Sequence, residues 1–293
     1  YCEKPISECL LSCFQKTKNN LQDDCFSSDS IITRYYGGLY FSYYQAICID
    51  AIASFAFMQE SLLQAKILAA LMGAVTDVVN TVGKQFAQPL KVSDKNGNLK
   101  KNLQKKIIND RKMSVFECFK EWMDYYCNRP KCVHEFEAIC GDYVDVLRRL
   151  KPGEISVIYA DPPYTRYHYS RYYHVLETLC RHDNPLVSTT FPNGKGGLSR
   201  AIYRDDRHQS PFCIKRKARE AFKNLFKYAR QAESELIVSY SPFDGDSKAT
   251  PRLLTIDEIT EMAKSYYSDV KVVSPGRFSH SRFNSQENNY EIN

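Results

Sequence analysis

From residue 42 to residue 126 the chain repeats apolar side chains at helical spacing. Ser42 offers a hydroxyl to cap a helix, and Ile47, Ile49 and the run 52–57 supply its apolar face. Leu63, Ile67, Leu71, Val75, Val78 and Val82 then predict a second helix over 60–82, packed on the first. Phe116, Phe119 and Trp122 predict an amphipathic helix over 115–126, ended by Asn128-Arg129-Pro130. Before these, a short helix is expected around 5–15 and a polar stretch up to Ser30. A loop then runs through 35–40, where Gly37-Gly38 asks for a turn with positive φ. The segment 84–112 changes character: nine basic residues face two acids, a turn is expected at 94–98, and 99–108 reads as a basic helix.

From residue 134 the pattern alternates. Strands are expected over 135–140, 155–160, 235–240, 270–273, 277–283 and 289–292. Helices are expected over 144–150, 169–180, 218–232 and from the Thr255-Glu258 capping pair to about 266. Alternation of this kind argues for an α/β sheet. The expected organisation is a helical region over 1–133 with a basic segment at 84–112, followed by an α/β domain over 134–293.

Composition narrows the classes. Forty basic residues against 34 acidic ones give a net charge of only +6, so its clustering matters more than its total. Eleven cysteines are scattered without CxxC spacing, and Cys127 and Cys132 have no second pair near them. This argues against a disulfide scaffold and a zinc site, and points to reduced thiols in a cytoplasmic protein. The run from Ile47 to Met58 is shorter than the roughly 18 residues of a membrane span, and no leader peptide is visible. No membrane partner is expected.

The segment from Ile155 to Ala160 runs directly into Asp161-Pro162-Pro163-Tyr164. Prolines cannot donate to a ladder and hold φ near −65°, so the strand stops at Asp161 and the turn has a fixed shape. Taken alone, Asp-Pro-Pro is a turn. At the carboxyl end of a sheet strand it also places a carboxylate, a rigid carbonyl and an aromatic ring where open α/β sheets bind ligands.

These four residues, with the apolar run before them and Thr165 after, resemble motif IV of the amino-group DNA methyltransferases. Asp with Tyr is the form usual in the N6-adenine enzymes. The resemblance extends through Cys140-Gly141-Asp142-Tyr143 (motif III), the segment 169–179, Ser239-Tyr240-Ser241-Pro242 (motif VI) and the segment 36–42, and it points to the D12-class adenine methyltransferases. It implies a Rossmann-like sheet with a helical N-terminal or inserted region. It implies S-adenosylmethionine as cofactor, touched by Asp142 and Tyr143, and a bacterial restriction-modification setting with a cognate restriction endonuclease as partner. The substrate would be double-stranded DNA with a flipped adenine. Asp161 and the Pro162 carbonyl would each accept an N6 hydrogen, making that nitrogen more nucleophilic, while Tyr164 holds the base. No metal is called for.

Substrate contacts are sought in positive charge near the motif. Residues 195–230 carry eleven basic residues against three acids. Lys195, Arg200, Arg204 and Arg207, with Arg166 and Arg171, are expected to form a positive rim that positions DNA through its phosphates. The outer face of the helical stretch from Lys215 to Arg230 reads equally well as a basic solvated face. The glycine turn Phe-x-Gly-x-Gly that precedes motif IV in this class is missing. Gly194-Lys195-Gly196 follows no strand and lies after motif IV. Two alternatives therefore stay open. One is methylation of cytosine N4, RNA or a protein amide. The other is a truncated DNA-binding remnant that does not bind cofactor.

Overall fold

Helices form where the sequence offers a cap next to a periodic apolar face. The computed structural model describes residues 29–90, 96, 100–130, 133–163, 165–189, 197–240 and 253–273, without the side chains of Val82, Lys101 and Asn102. In chain order its elements are α1 (Ile31–Tyr36), α2 (Tyr43–Phe57), α3 (Ser61–Val78), α4 (Lys101–Lys112), α5 (Val115–Cys127), α6 (Tyr143–Arg149), β1 (Val157–Ala160), α7 (Tyr169–Arg181), α8 (Lys215–Gln231), β2 (Glu235–Val238) and α9 (Ile256–Lys264). Ser42 and Gln45 form a reciprocal capping box on α2, and Thr255 and Glu258 do the same on α9. Each such cap is worth about 1 kcal/mol. The expected helix around 5–15, the strands at 277–283 and 289–292 and most of the turn at 94–98 lie outside the described residues.

α1 replaces the first part of the expected 35–40 loop, and the reason is tertiary. Its amide groups at Ile32 and Thr33 donate to the Asp50 carboxylate on α2, each at 2.8 Å. Burial raises the Asp50 carboxyl to about 6 even with these bonds. The turn that follows does take positive φ, at Gly38 (76°).

The chain divides into two compact units. The first joins Tyr1–Lys131 to Arg171–Arg207, so the segment 171–207 belongs with the helical region and not with the α/β region expected to contain it. Its core is built on α3, packed against α2 and α5. Ala70, Leu71, Ala74, Val75 and Val78 are fully buried there. α3 is also the one described helix long and apolar enough to cross a membrane by length and composition. Gly73 lets the indole of Trp122 lie against its backbone, where any Cβ would fall 2.4 Å from the ring. The indole nitrogen donates to Asp77 at 2.7 Å.

The second unit joins Cys132–Ser170 to His208–Asn293. Among the described residues its sheet has two strands, β1 and β2, parallel, in register from Val157↔Glu235 to Ala160↔Val238. Ile158, Ala160, Leu236 and Val238 turn inward to a core made with α6, α8 and α9. Val157, Tyr159 and Ile237 face outward and are exposed. The expected strands over 135–140 and 270–273 are not strands. Phe136 and Val273 are more than three-quarters exposed, at 83% and 80%. Periodicity can suggest an extended segment, but a strand exists only where a neighbour takes its backbone groups.

Candidate functional site

β1 and β2 end together. The ladder continues one residue past β2, because the Ser239 amide donates to the Ala160 carbonyl at 2.8 Å. Asp161 and Ser239 therefore leave the sheet side by side, at the carboxyl ends of adjacent parallel strands. Asp161 is exposed, Pro162 is buried and Pro163 is half-buried. The buried proline ring anchors the turn, while the carboxylate next to it stays in solvent. Tyr164 lies outside the described residues. The resemblance to motif VI points to Ser239, and the strand pairing sets it next to Asp161.

The chain is tied down on both sides of this edge. Downstream of the motif, the Cys213 thiol, just before α8, donates to the Tyr167 carbonyl at 3.3 Å. After β2, the Tyr240 hydroxyl donates to the Leu254 carbonyl at 2.9 Å, and its ring meets Phe222 edge-on at 5.9 Å. Arg166 is exposed, with its guanidinium 5.6 Å from the Tyr167 ring.

Asp142 and Tyr143 have structural duties. Asp142 is the N-cap of α6 and accepts the Val144 amide hydrogen at 2.8 Å, leaving its other oxygen exposed. Tyr143 turns into the core, 5.1 Å from the Phe212 ring, and its hydroxyl donates to the Ala221 carbonyl at 2.9 Å. Burial raises the pKa of that hydroxyl. The ring expected to pack on a cofactor adenine is thus engaged in the core of its own unit.

The expected positive rim divides. Arg166 belongs to the second unit, while Arg171, Arg200, Arg204 and Arg207 belong to the first; Lys195 lies outside the described residues. Arg204 is not a surface residue. It is 1% exposed and forks onto two carboxylates, Asp183 at 2.6 and 2.8 Å and Asp206 at 3.0 Å through each of two nitrogens. A fifth bond runs to Thr178 at 3.2 Å. The bonds to Asp183 and Asp206 raise its pKa, and the Arg204 fork in turn holds Asp206 down to about 2. A buried guanidinium whose donors are spent on two carboxylates and Thr178 cannot also grip a phosphate, so Arg204 leaves the rim. Arg200 is half-buried and donates to the Leu90 carbonyl; burial lowers its pKa.

Arg171 and Arg207 are different. Their guanidinium carbons approach the same ring, Tyr203, at 5.8 and 4.7 Å. Neither makes an ion pair with a described carboxylate, and the Arg171 Nε is buried without a hydrogen-bond partner. Burial, and then the charge of Arg171, lower the pKa of Arg207. Two like charges held together in this way suit an anion.

A further cluster escaped the sequence reading. His174 on α7 is fully buried, with Nε2 3.0 Å from the Phe86 carbonyl and Nδ1 3.4 Å from the Tyr36 hydroxyl. The Tyr40 hydroxyl donates to the Phe86 carbonyl at 2.8 Å, and Tyr36 meets Thr178 at 3.0 Å. Burial drives His174 down to about 3, so the ring is neutral. The spacing of His174 and Thr178, four residues apart on α7, was the available signal, since such pairs share a helix face.

No family model and no solved structure matches this chain. The chain is similar to Modification methylase LlaI of Lactococcus lactis subsp. lactis, 34% identical over 118 residues. That match spans 40% of this chain and 16% of the relative's length.

Proposed function

We propose that this chain carries the base-gripping part of a DNA methyltransferase that acts on adenine N6 with S-adenosylmethionine as methyl donor. The proposed setting is a Rossmann-like α/β sheet within a restriction-modification system. One observation carries the reading. A carboxylate and a proline-fixed carbonyl leave β1 at the carboxyl edge of a parallel pair, directly beside Ser239 of the neighbouring strand. The partial similarity to a modification methylase supports it.

In this reading Asp161 and the Pro162 carbonyl accept the two hydrogens of the exocyclic amine. The amine lone pair is otherwise delocalised into the ring, and the two acceptors favour a pyramidal, more nucleophilic nitrogen. Pro162 and Pro163 keep the acceptors at a constant separation, which supplies positioning rather than covalent chemistry. Tyr164 stacks on the extruded base. Arg166, Arg171 and Arg207 contact phosphates, and a cognate restriction endonuclease is the partner that the setting implies.

The described residues fit the cofactor only in part. Asp142 keeps one oxygen for an adenine amine, but Tyr143 is engaged with Phe212 and Ala221, and among the described residues nothing cradles the methionine end. That engagement favours a second reading, in which the chain binds DNA without binding cofactor by itself.

Two measurements decide. Incubation with duplex DNA and methyl-labelled S-adenosylmethionine, then digestion to nucleosides, is expected to place the label in N6-methyl-2′-deoxyadenosine; label in N4-methyl-2′-deoxycytidine would overturn the choice of base. Calorimetric titration of the chain with S-adenosylmethionine separates the readings, since saturable binding removes the second and its absence supports it.

A further inference from the structure

The outer face of α8 is almost wholly cationic. Its inner face, Ala218, Ala221, Phe222, Leu225, Phe226 and Ala229, is buried. The exposed face carries seven basic residues against one acid, Glu220. Lys215, Arg216 and Lys217 fill the first turn. Arg219, Lys223, Lys227 and Arg230 continue as a stripe at spacings of three and four residues, which places them on one side of the helix. The whole face is roughly 22 Å long at the α-helical rise.

Folding does not account for this arrangement. The first turn of a helix is the positive end of its dipole and favours acids, yet α8 has three cations and no acid there. Arg219/Lys223 and Lys223/Lys227 are like-charged pairs four apart, which repel by a few tenths of a kcal/mol each, roughly 0.2–0.5. Among the described residues one of the seven finds a carboxylate: Arg219 pairs with Glu258 at 2.5 Å. By contrast α5 mixes signs on its exposed face, with Glu117, Glu121 and Asp124 around Lys120.

The helix is also oriented. Cys213, just before α8, bonds the Tyr167 carbonyl downstream of Asp161. The Ala232 carbonyl, just after α8, accepts the Gly153 amide hydrogen ahead of β1. α8 thus runs antiparallel to the strands, and Lys215, Arg216 and Lys217 stand at the same end of the unit as Asp161.

We infer that the outer face of α8 is a phosphate-backbone surface for double-stranded DNA, an extended contact beyond the arginines near the motif; the inference rests on the DNA reading of the Asp161 edge. The face has no exposed large apolar side chain. It therefore lacks the groups that would enter a lipid interface, and the aromatic rings on which single-stranded bases would stack.

The test is duplex binding by the 293-residue chain, followed by fluorescence anisotropy over a salt series. Each phosphate contact contributes about −0.9 to the slope of log affinity against log salt. The triple variant Lys223→Gln, Lys227→Gln, Arg230→Gln is expected to flatten the slope by about 2 to 3, with an unchanged circular dichroism spectrum. Neutralising Lys105 and Lys112 on α4 is expected to leave it in place. An unchanged slope in the α8 variant overturns the inference. So does absence of duplex binding by the unaltered chain, or tighter binding to phosphatidylserine vesicles or single-stranded RNA than to duplex. Loss of methyl transfer with the slope intact in the unaltered chain would instead count against the catalytic reading alone.

Discussion

His174 and Asp161 are both surrounded by residues of the kind used in catalysis, and the molecule treats them in opposite ways. Around His174 the polar groups are buried and partnered: two tyrosines, a threonine and, through Thr178, the doubly forked Arg204. A neutral imidazole held near 3 by burial has neither a proton to exchange near neutrality nor a free face to offer. At Asp161 the burial stops one residue away, at Pro162, and the carboxylate stands in solvent beside the end of a second strand. A dense polar cluster can therefore be a fastening, and a single exposed acid on an anchored turn can be a site. Satisfaction of hydrogen bonds separates the two better than residue type does.

The largest effect that would break this comparison is at Asp161. Asp161→Ala removes an exposed side chain, so melting temperature should hold; in a full-length enzyme of the proposed activity the variant should lower methyl transfer by about 10²–10⁴ with duplex affinity largely kept. Near-normal transfer would end the assignment. Next comes Arg204. Arg204→Ala leaves Asp183 and Asp206 to repel with only Arg181 between them, at 3.1 and 2.8 Å. It should cost about 3 kcal/mol in urea unfolding. Arg207→Ala should cost less than about 1 kcal/mol and weaken duplex binding instead. If the two arginines exchanged these phenotypes, the division of the rim would be wrong.

The smallest effect is in the pH dependence. The unfolded histidine takes a proton near 6.5 that the folded one refuses down to about 3, so His174 loses stability as pH falls through 6.5. Asp50 acts in the other sense. Its folded carboxyl binds a proton at about 6, the unfolded one near 3.8, so acidification through 6 restores stability. The two oppose each other between pH 7 and 5. Asp50→Asn removes one, and the unfolding free energy of that variant, read from urea titrations, should fall on acidification by up to about 1.4 kcal/mol per pH unit, more steeply than in the unaltered chain. Parallel curves would show that Asp50 does not titrate there.

Much of this molecule was legible residue by residue. The caps at Ser42 and Thr255, the helical faces of α2, α3, α5 and α8, and the strand running into Asp161 are local patterns, set by contacts within a few residues. The sequence by itself determined those elements and the fixed turn at Pro162-Pro163. The tertiary structure decided the rest. It decided that 135–140 pairs with nothing described, that 171–207 packs with the helical unit, that Tyr143 faces the core and that Ser239 stands beside Asp161. It also decided which arginines remain available. Arg204 and Arg207 are three residues apart and alike in sequence, yet one meets carboxylates at positions 183 and 206 while the other meets an aromatic ring. Caps and periodicity are short-range and survive in any local window. Strand partners, and a counter-ion such as Asp183, come from distant parts of the chain, and only the folded backbone brings them within hydrogen-bonding distance.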